Sequence, residues 1–350
     1  MKAVRVGTKM VGEGQPCLLV AEVGINHNGD MNLALRSIDA AADAGADAVK
    51  FQNYRTEDFV SDRTLTHEYI SQGEKVVESQ YDMFKRCELD TARLRQLREH
   101  CDRRGVTFFS TPTSESGIRD LVDVAAPLLK NGSDYLVHLP MIRAMARTGL
   151  PTVISTGMAD REDIQDAVDA FRGAGGRDLI LLHCTSSYPT PAEDVNLRKM
   201  LTLSELFACP VGLSDHTDGT VAAVGSIAMG ACMIEKHFTL DKNLPGPDHC
   251  FSADPAEFQC LVESVRIMEK SLGSPELKPA GSEALGRRDY RLSCVSARGL
   301  MAGHHLAASD VAFRRPGTGL PPKELDHLID RRLTRDVPAG HVFLREDFSE

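Results

Sequence analysis

The chain has 350 residues, 42% of them hydrophobic and 26% charged, which is enough to bury a full core and more than one small domain requires. Forty basic residues against fifty acidic ones leave a formal charge of −10; the basic residues are scattered, which excludes a nucleic-acid-binding stripe, so an anionic substrate must be met by a local pocket. The nine cysteines form no CxxC pair, the N-terminal MKAVRVGTKMVGEGQP lacks an apolar leader core, and no apolar run approaches the ~20 residues of a membrane span, so a cytoplasmic, reduced protein without membrane contact is expected.

Eight short β-branched or aliphatic runs follow one another: CLLVAEV (17–23), ADAVKFQ (46–52), VTFFST (106–111), PLLKNGS (127–133), TVISTG (152–157), LILLHCT (179–185), VGLSDH (211–216) and CMIEKHFT (232–239). Amphipathic stretches of helical spacing lie between several of them, among them LALRSIDAAADAG, ELDTARLRQLREHCDRRG and REDIQDAVDAFRGAG. Strand and helix in alternation predict parallel βα units, and eight of them suggest a (β/α)8 TIM barrel over 17 to about 272, with a doubly wound open sheet as the alternative. The Gly/Pro/Ser-rich stretch from Gly273 interrupts the alternation, which divides the chain into a barrel domain (1–272), a linker (273–290) and a small β-rich domain (291–350) containing two similar pieces, MAGHHLAASDV and PAGHVFLREDF.

In such a barrel the chemistry gathers at the carboxyl ends of the strands, and this chain has polar residues there on nearly every strand. They are Glu22, Lys50, Gln52, Ser110, Thr111, Lys130, Ser133, Ser155, Ser186, Tyr188, Ser214, His216, Glu235, Lys236 and His237. His216 and His237 end adjacent strands at one level, where two imidazoles reach one ion; without a matched thiolate, imidazole plus oxygen ligands suits Mn²⁺, Mg²⁺, Fe²⁺ or Co²⁺ with open positions better than a structural zinc site. Lys50 and Lys130 interrupt apolar strands and would be costly to bury without an anion, for which a phosphate or carboxylate and the neighbouring hydroxyls form a cradle. A Schiff base on Lys50, Lys130 or Lys236 is a second reading of the same residues, and a degenerate sugar-binding scaffold a third.

The segments AEVGINHNGD, AVKFQ, FFSTP, STGM, LLHCTSSYPTPAEDVNL, GLSDHT, EKHFTLD and PGPDH, in this order over 21–249, closely resemble the sialic acid (nonulosonic acid) synthases. The resemblance covers essentially the whole chain, since those enzymes also end in a small antifreeze-like (SAF) domain similar to 291–350. It implies condensation of phosphoenolpyruvate with an open-chain N-acetylated amino sugar at a divalent metal, most often Mn²⁺, held by His216 and His237. It also implies roles around phosphoenolpyruvate for Lys50, Ser110 or Thr111, Lys130, Ser133, Ser155, Ser186 and Ser214, and around the sugar for Glu22, Gln52, Tyr188 and Asp248, with Glu22 as the proton-handling carboxylate. A domain-swapped homodimer follows from the same likeness, Arg315 reaching the sugar site of the partner subunit. Ser186 stands where neuraminate synthases usually carry Asn, and the following VNL resembles relatives that make legionaminic or pseudaminic acid; Asn131 and Asp134 also depart from the usual pattern.

Overall fold

The computed structural model of the chain describes residues 3–349, so the outermost bounds of the two expected domains, at 1 and 350, lie outside the described residues. The chain divides into two compact units, Met1–Gly273 and Ser274–Glu350.

The first unit is a parallel barrel. Its strands are β1 (Leu18–Gly24), β2 (Ala48–Asn53), β3 (Thr107–Pro112), β4 (Leu129–Asn131), β5 (Thr152–Ser155), β6 (Leu179–Cys184), β7 (Val211–Asp215) and β8 (Met233–His237). Parallel ladders join them in the order β3-β2-β1-β8-β7-β6-β5-β4, so β8 closes onto β1, with Glu235 opposite Val20 and His237 opposite Glu22. The open-sheet alternative is thereby excluded. Each strand alternates between two cores, as its period of two requires. Leu18, Val20, Ala48, Phe109, Val153, Ile180, Leu182 and Met233 fill the barrel, while Leu19, Ala21, Val49, Phe51, Phe108, Ile154, Leu181, Leu213 and Ile234 face the surrounding helices.

Several of those helices start where short acidic or hydroxyl caps accept backbone N–H groups. Asp30 caps Met31–Asp43, and Asp160 and Asp254 form reciprocal capping boxes on Arg161–Gly173 and Pro255–Leu272. An antiparallel hairpin of Val4–Val6 and Lys9–Val11 seals the amino end of the barrel, its Val4, Val6 and Val11 packing into the interior cluster beneath Leu18 and Ala48. A second hairpin, Thr66–Ser71 with Glu74–Ser79, follows β2 and turns through Gln72 and Gly73, both at positive φ. The sequence reading passed over this hairpin because its residues are mostly polar.

The second unit pairs Ser293–Ser296 antiparallel with Val311–Arg314 around Cys294, Leu300, Leu306, Leu333, Val337 and Phe343. Its two similar pieces build the same device twice. Buried Asp310 accepts from Arg298 Nε (2.9 Å), His304 Nε2 (2.7 Å) and Ala307 N (3.0 Å). Buried Asp347 accepts from Arg335 Nε, His341 Nε2 and Leu344 N, each at 2.8 Å. The stretch expected to be a bare linker contains a helix, Ala284–Asp289, whose Arg288 carbonyl accepts from Gly317 N at 2.7 Å. Counting Gly and Pro across 273–290 hid the good helix formers in ALGRRD.

Candidate active site at the barrel mouth

At the carboxyl end of the strands the inward-facing sequence positions change from aliphatic to polar. Glu22 follows Leu18 and Val20; Lys50 and Gln52 follow Ala48; Thr111 follows Phe109; Lys130 follows Leu128. On the opposite wall Ser155, Cys184, Ser214, Glu235 and His237 continue the interior rows. With Ser133, Ser186, Tyr188 and His216 from the loops, they line a cavity of about 390 Å³.

The floor is a chain of buried charges. Lys50 Nζ lies 2.9 Å from Glu22 Oε1 and 3.5 Å from Glu235 Oε1, and donates to Thr111 Oγ1 at 3.0 Å. Gln52 Nε2 donates to Glu22 Oε1 at 3.3 Å, and Ser214 Oγ to Glu235 Oε1 at 3.2 Å. Glu22 Oε2 and Glu235 Oε2 are buried without a partner. Burial, with Glu235 adding to it and Lys50 opposing it, pushes the Glu22 carboxyl up to about 7. Burial opposes the charge of Glu235 as well, yet Lys130 and Lys50 hold it below the usual carboxylate range. Two carboxylates on one floor thus differ in proton affinity. Lys130, 2% exposed, donates to Ser155 Oγ at 2.6 Å and to the Asn131 carbonyl at 2.9 Å, with no carboxylate at ion-pair distance among the described residues. Burial pushes its ammonium below the usual range, with Glu235 only partly countering.

At the rim the ring centroids of His216 and His237 stand 5.4 Å apart, with Tyr188 packed 4.2 Å from His216. His216 Nδ1 lies 2.9 Å from the Thr185 carbonyl; a carbonyl only accepts, so Nδ1 carries the hydrogen and Nε2 keeps its lone pair. His237 Nδ1 is buried without a hydrogen-bond partner, since Asp248 Oδ2 at 3.9 Å is too far to serve. Burial first, then the nearby His216, Lys50 and Lys236, hold the His237 imidazole well below its ordinary range and therefore neutral. Burial opposes a charge on His216, yet the Cys184 thiol and the Thr185 carbonyl raise its pKa above the ordinary value. Nε2 of His216 and the buried Nδ1 of His237 are the nitrogens that fit a divalent ion. Among the described residues no three His, Cys, Asp or Glu side chains converge on one point, so further positions on such an ion would fall to oxygen ligands from outside the chain.

The loop after β8 is held from two sides. Asn28 Nδ2 donates to the Pro245 carbonyl at 2.7 Å and lies 3.2 Å from His249 Nε2, while His249 Nδ1 meets Thr239 Oγ1 at 2.7 Å. From the second hairpin, Gln72 donates to the Asn243 carbonyl and Ser71 Oγ accepts from Gly246 N. Asp248 is thereby set beside His237, its carboxyl pushed by burial up to about 6.

Residues 37–276 match the family model described as the NeuB family, and 293–349 match the SAF domain. The chain belongs to the NeuB family. N,N'-diacetyllegionaminic acid synthase of Legionella pneumophila is 40% identical over 344 residues, 97% of each chain. Pseudaminic acid synthase of Campylobacter jejuni is 33% identical, covering 94% of this chain and 96% of its own. The crystal structure of N-acetylneuraminic acid (sialic acid) synthetase from Leptospira borgpetersenii is 34% identical with a TM-score of 0.74, over 81% of this chain and 95% of that one. This NeuB-family chain is therefore a nonulosonic acid synthase homologue with a TIM barrel and a SAF domain.

Of the residues singled out from the sequence of this NeuB-family member, Glu22, Lys50, Gln52, Thr111, Lys130, Ser133, Ser155, Ser186, Tyr188, Ser214, His216 and His237 line one cavity. Ser110 does not. It follows the outward-facing Phe108 in the strand period and is buried behind the barrel wall with Oγ unpartnered. Lys236, weighed as a Schiff-base lysine, also faces outward, paired with Asp215 Oδ2 at 2.9 Å and donating to the Thr217 carbonyl at 2.8 Å. Asp248 stands just outside the lining, beside His237. Arg315 belongs to the second unit, where its guanidinium carbon lies 5.2 Å from the Tyr290 ring centroid and Nε donates to the Tyr290 carbonyl. Asn131, flagged as a departure, faces outward with its amide donating to the Gly132 carbonyl, whereas Asp134 lines the cavity. Glu235, noted at a strand end but given no role, and Cys184, not singled out, also line the cavity; each precedes a rim residue by two positions, the signal that would have assigned them to it.

Proposed function

We propose that the protein condenses phosphoenolpyruvate with an open-chain N-acetylated amino sugar and water, releasing phosphate and a nine-carbon 2-keto acid. The observation that carries this reading is Lys130, a buried cation with no carboxylate partner, on the floor of a cavity whose rim presents the imidazoles of His216 and His237. A phosphate or carboxylate from the substrate would complete the charge that the chain leaves open. Ser155, Ser133 and Ser214, with Thr111, supply hydroxyls around such an anion.

His216 and His237 are the residues that would hold a divalent ion, Mn²⁺ in this reading, and such an ion supplies Lewis-acid polarisation of the sugar aldehyde. Lys130 and Lys50 orient phosphoenolpyruvate so that its C3 faces that aldehyde. Glu22, near a pKa of 7 and with Oε2 free of other partners, is placed to move a proton at that oxygen as water adds at C2. Tyr188 and Gln52 bound the sugar side, and Asp248, beside His237 just outside the lining, would meet a hydroxyl of the sugar chain. The same reading takes the chain as a homodimer in which Arg315 completes the sugar site of the partner subunit.

The test is phosphate release from phosphoenolpyruvate with Mn²⁺ and an amino sugar, repeated after chelation. Metal-dependent release supports the reading. Borohydride trapping of a lysine adduct, with turnover surviving chelation, would replace it by Schiff-base chemistry, and a folded, metal-loaded protein that turns over no sugar would leave a binding barrel.

A further inference from the structure

A second cavity, of about 740 Å³, lies on the flank of the barrel and is lined by the helices Arg161–Gly173 and Lys199–Phe207. Its inner wall is β6, whose residues alternate: Ile180 and Leu182 fill the barrel, Leu181 packs outward, and His183 after it faces the side cavity. His183 is 2% exposed, and its Nε2 lies 2.5 Å from the Val195 carbonyl. A carbonyl only accepts, so Nε2 carries the hydrogen and Nδ1 keeps a lone pair that meets no donor among the described residues. Burial, partly opposed by that carbonyl, holds the imidazole below its ordinary range and neutral. The side cavity thus has, at its inner wall, an acceptor that lacks its donor, a costly state for a buried polar atom.

The rest of the lining specifies what could bring that donor. Ile164, Leu203 and Phe207, all buried, supply apolar walls. The charged side chains are all exposed, Asp160 and Asp194 against Arg161 and Lys199, so neither an anion nor a cation is selected. An occupant therefore needs an apolar body, an N–H at its inner end and uncharged polar groups at its outer end. A nucleoside has all three: the flat face of a base, the amino group on its edge, and ribose hydroxyls that the acids at the rim accept from.

The chain just after His183 serves both cavities. The Thr185 carbonyl is the acceptor that fixes His216 Nδ1–H, at 2.9 Å, and Thr185 Oγ1 donates to the Asp194 carbonyl at 3.1 Å. Thr185 and Asp194 both line the side cavity. A molecule pressed against them bears on the group that orients one of the two rim imidazoles.

We infer that the side cavity is a second binding site, for a nucleoside whose base donates an N–H to His183 Nδ1, and that its occupant acts on the barrel mouth through Thr185 and His216. The binding stands independently of the synthase reading, and only its effect on turnover rests on that reading.

The experiment titrates the full chain calorimetrically with adenosine and cytidine, and with the forms of each whose exocyclic amine is dimethylated. At least one nucleoside is expected to bind at one site per chain, and its dimethylated form roughly tenfold more weakly, because the donor is gone. Leu206→Trp, which fills the side cavity from a position 40% exposed, should abolish that binding, and Thr202→Trp, also exposed, does the same if Leu206→Trp does not fold. Bound nucleoside should shift the ring nitrogen-15 resonances of His216 and change kcat/KM for phosphate release several-fold, in the parent and not in the tryptophan variants. No heat with either nucleoside, equal binding of the dimethylated forms, or binding that survives both tryptophans would overturn the site. Binding that leaves the His216 resonances unmoved would overturn its action on the mouth. Absence of turnover under every condition would sink the synthase reading alone, since the titrations and the His216 resonances decide the site without it.

Discussion

Two regions of the molecule bury carboxylates and treat them in opposite ways. In the C-terminal unit Asp310 and Asp347 are each closed off by an arginine, a histidine and a backbone N–H. At the barrel mouth Glu22 and Glu235 each keep one oxygen unpartnered, His237 keeps Nδ1, and Lys130 has no acid beside it. Buried polar atoms cost free energy unless they are satisfied, so the first arrangement stabilises the fold and the second is held against that cost by the surrounding strands. Unsatisfied charge marks the region built to receive a ligand, and satisfied charge marks the region built to hold shape.

The sharpest way to break this contrast is chelation. Removing the divalent ion is expected to abolish phosphate release while leaving the circular dichroism and melting temperature of the chain unchanged, because ladders and core hold the two histidines in place without it. An ion needed for folding would show as a collapse of both. Next, Lys130→Met should lower turnover roughly a thousandfold yet leave the melting temperature equal or higher, since an apolar side chain replaces an unpaired buried cation. Asp347→Ala should do the reverse in the other region, costing the C-terminal unit about 2 kcal/mol as its donors lose their acceptor, read by hydrogen exchange over 293–349 in the intact chain.

Asn28→Ala tests the satisfied scaffold under the unsatisfied site. Loss of its bonds to Pro245 and His249 should loosen the loop bearing Asp248 and raise KM for the sugar roughly tenfold with a smaller change in kcat; a fall in kcat alone would show that the loop does something other than position. The smallest effect is at acid pH. His304 first, then the backbone and Arg298, hold Asp310 down at about 2, against an ordinary value of 3.8. A depressed carboxylate contributes stability that is complete above its unfolded pKa and is lost as pH falls through the folded one. Exchange protection in the C-terminal unit should therefore decline between about pH 4 and pH 2, and Asp310→Asn should flatten that decline.

Most of the barrel was legible because its strands are apolar on both faces and its helices carry strong caps. The site was legible where polar residues interrupt those strands, as at Lys50, Lys130 and His237. What was misread follows from one omission. Ser110 and Thr111 are adjacent and chemically alike, and only the alternation of strand faces, fixed by Phe109 in the barrel interior, sends one into the cavity and the other behind the wall. The same alternation puts Glu235 inside and Lys236 outside. The second hairpin escaped because its stabilising features are a two-residue turn and cross-strand polar pairs, which leave no hydrophobic period. The side cavity was invisible because it is made by the spacing of two helices, which no local pattern records.

The hairpin that seals the amino end of the barrel has a consequence for traffic. With Val4, Val6 and Val11 stopping that end, reactants and products pass through the opposite opening, and the lysine-lined floor lies deeper than Tyr188, which is half exposed at the rim. A molecule seated on the floor must arrive before anything that rests above it, and what forms on the floor leaves after what forms above. In the proposed reaction phosphoenolpyruvate is the compulsory first arrival, and the sugar is the guest that shuts the door behind it.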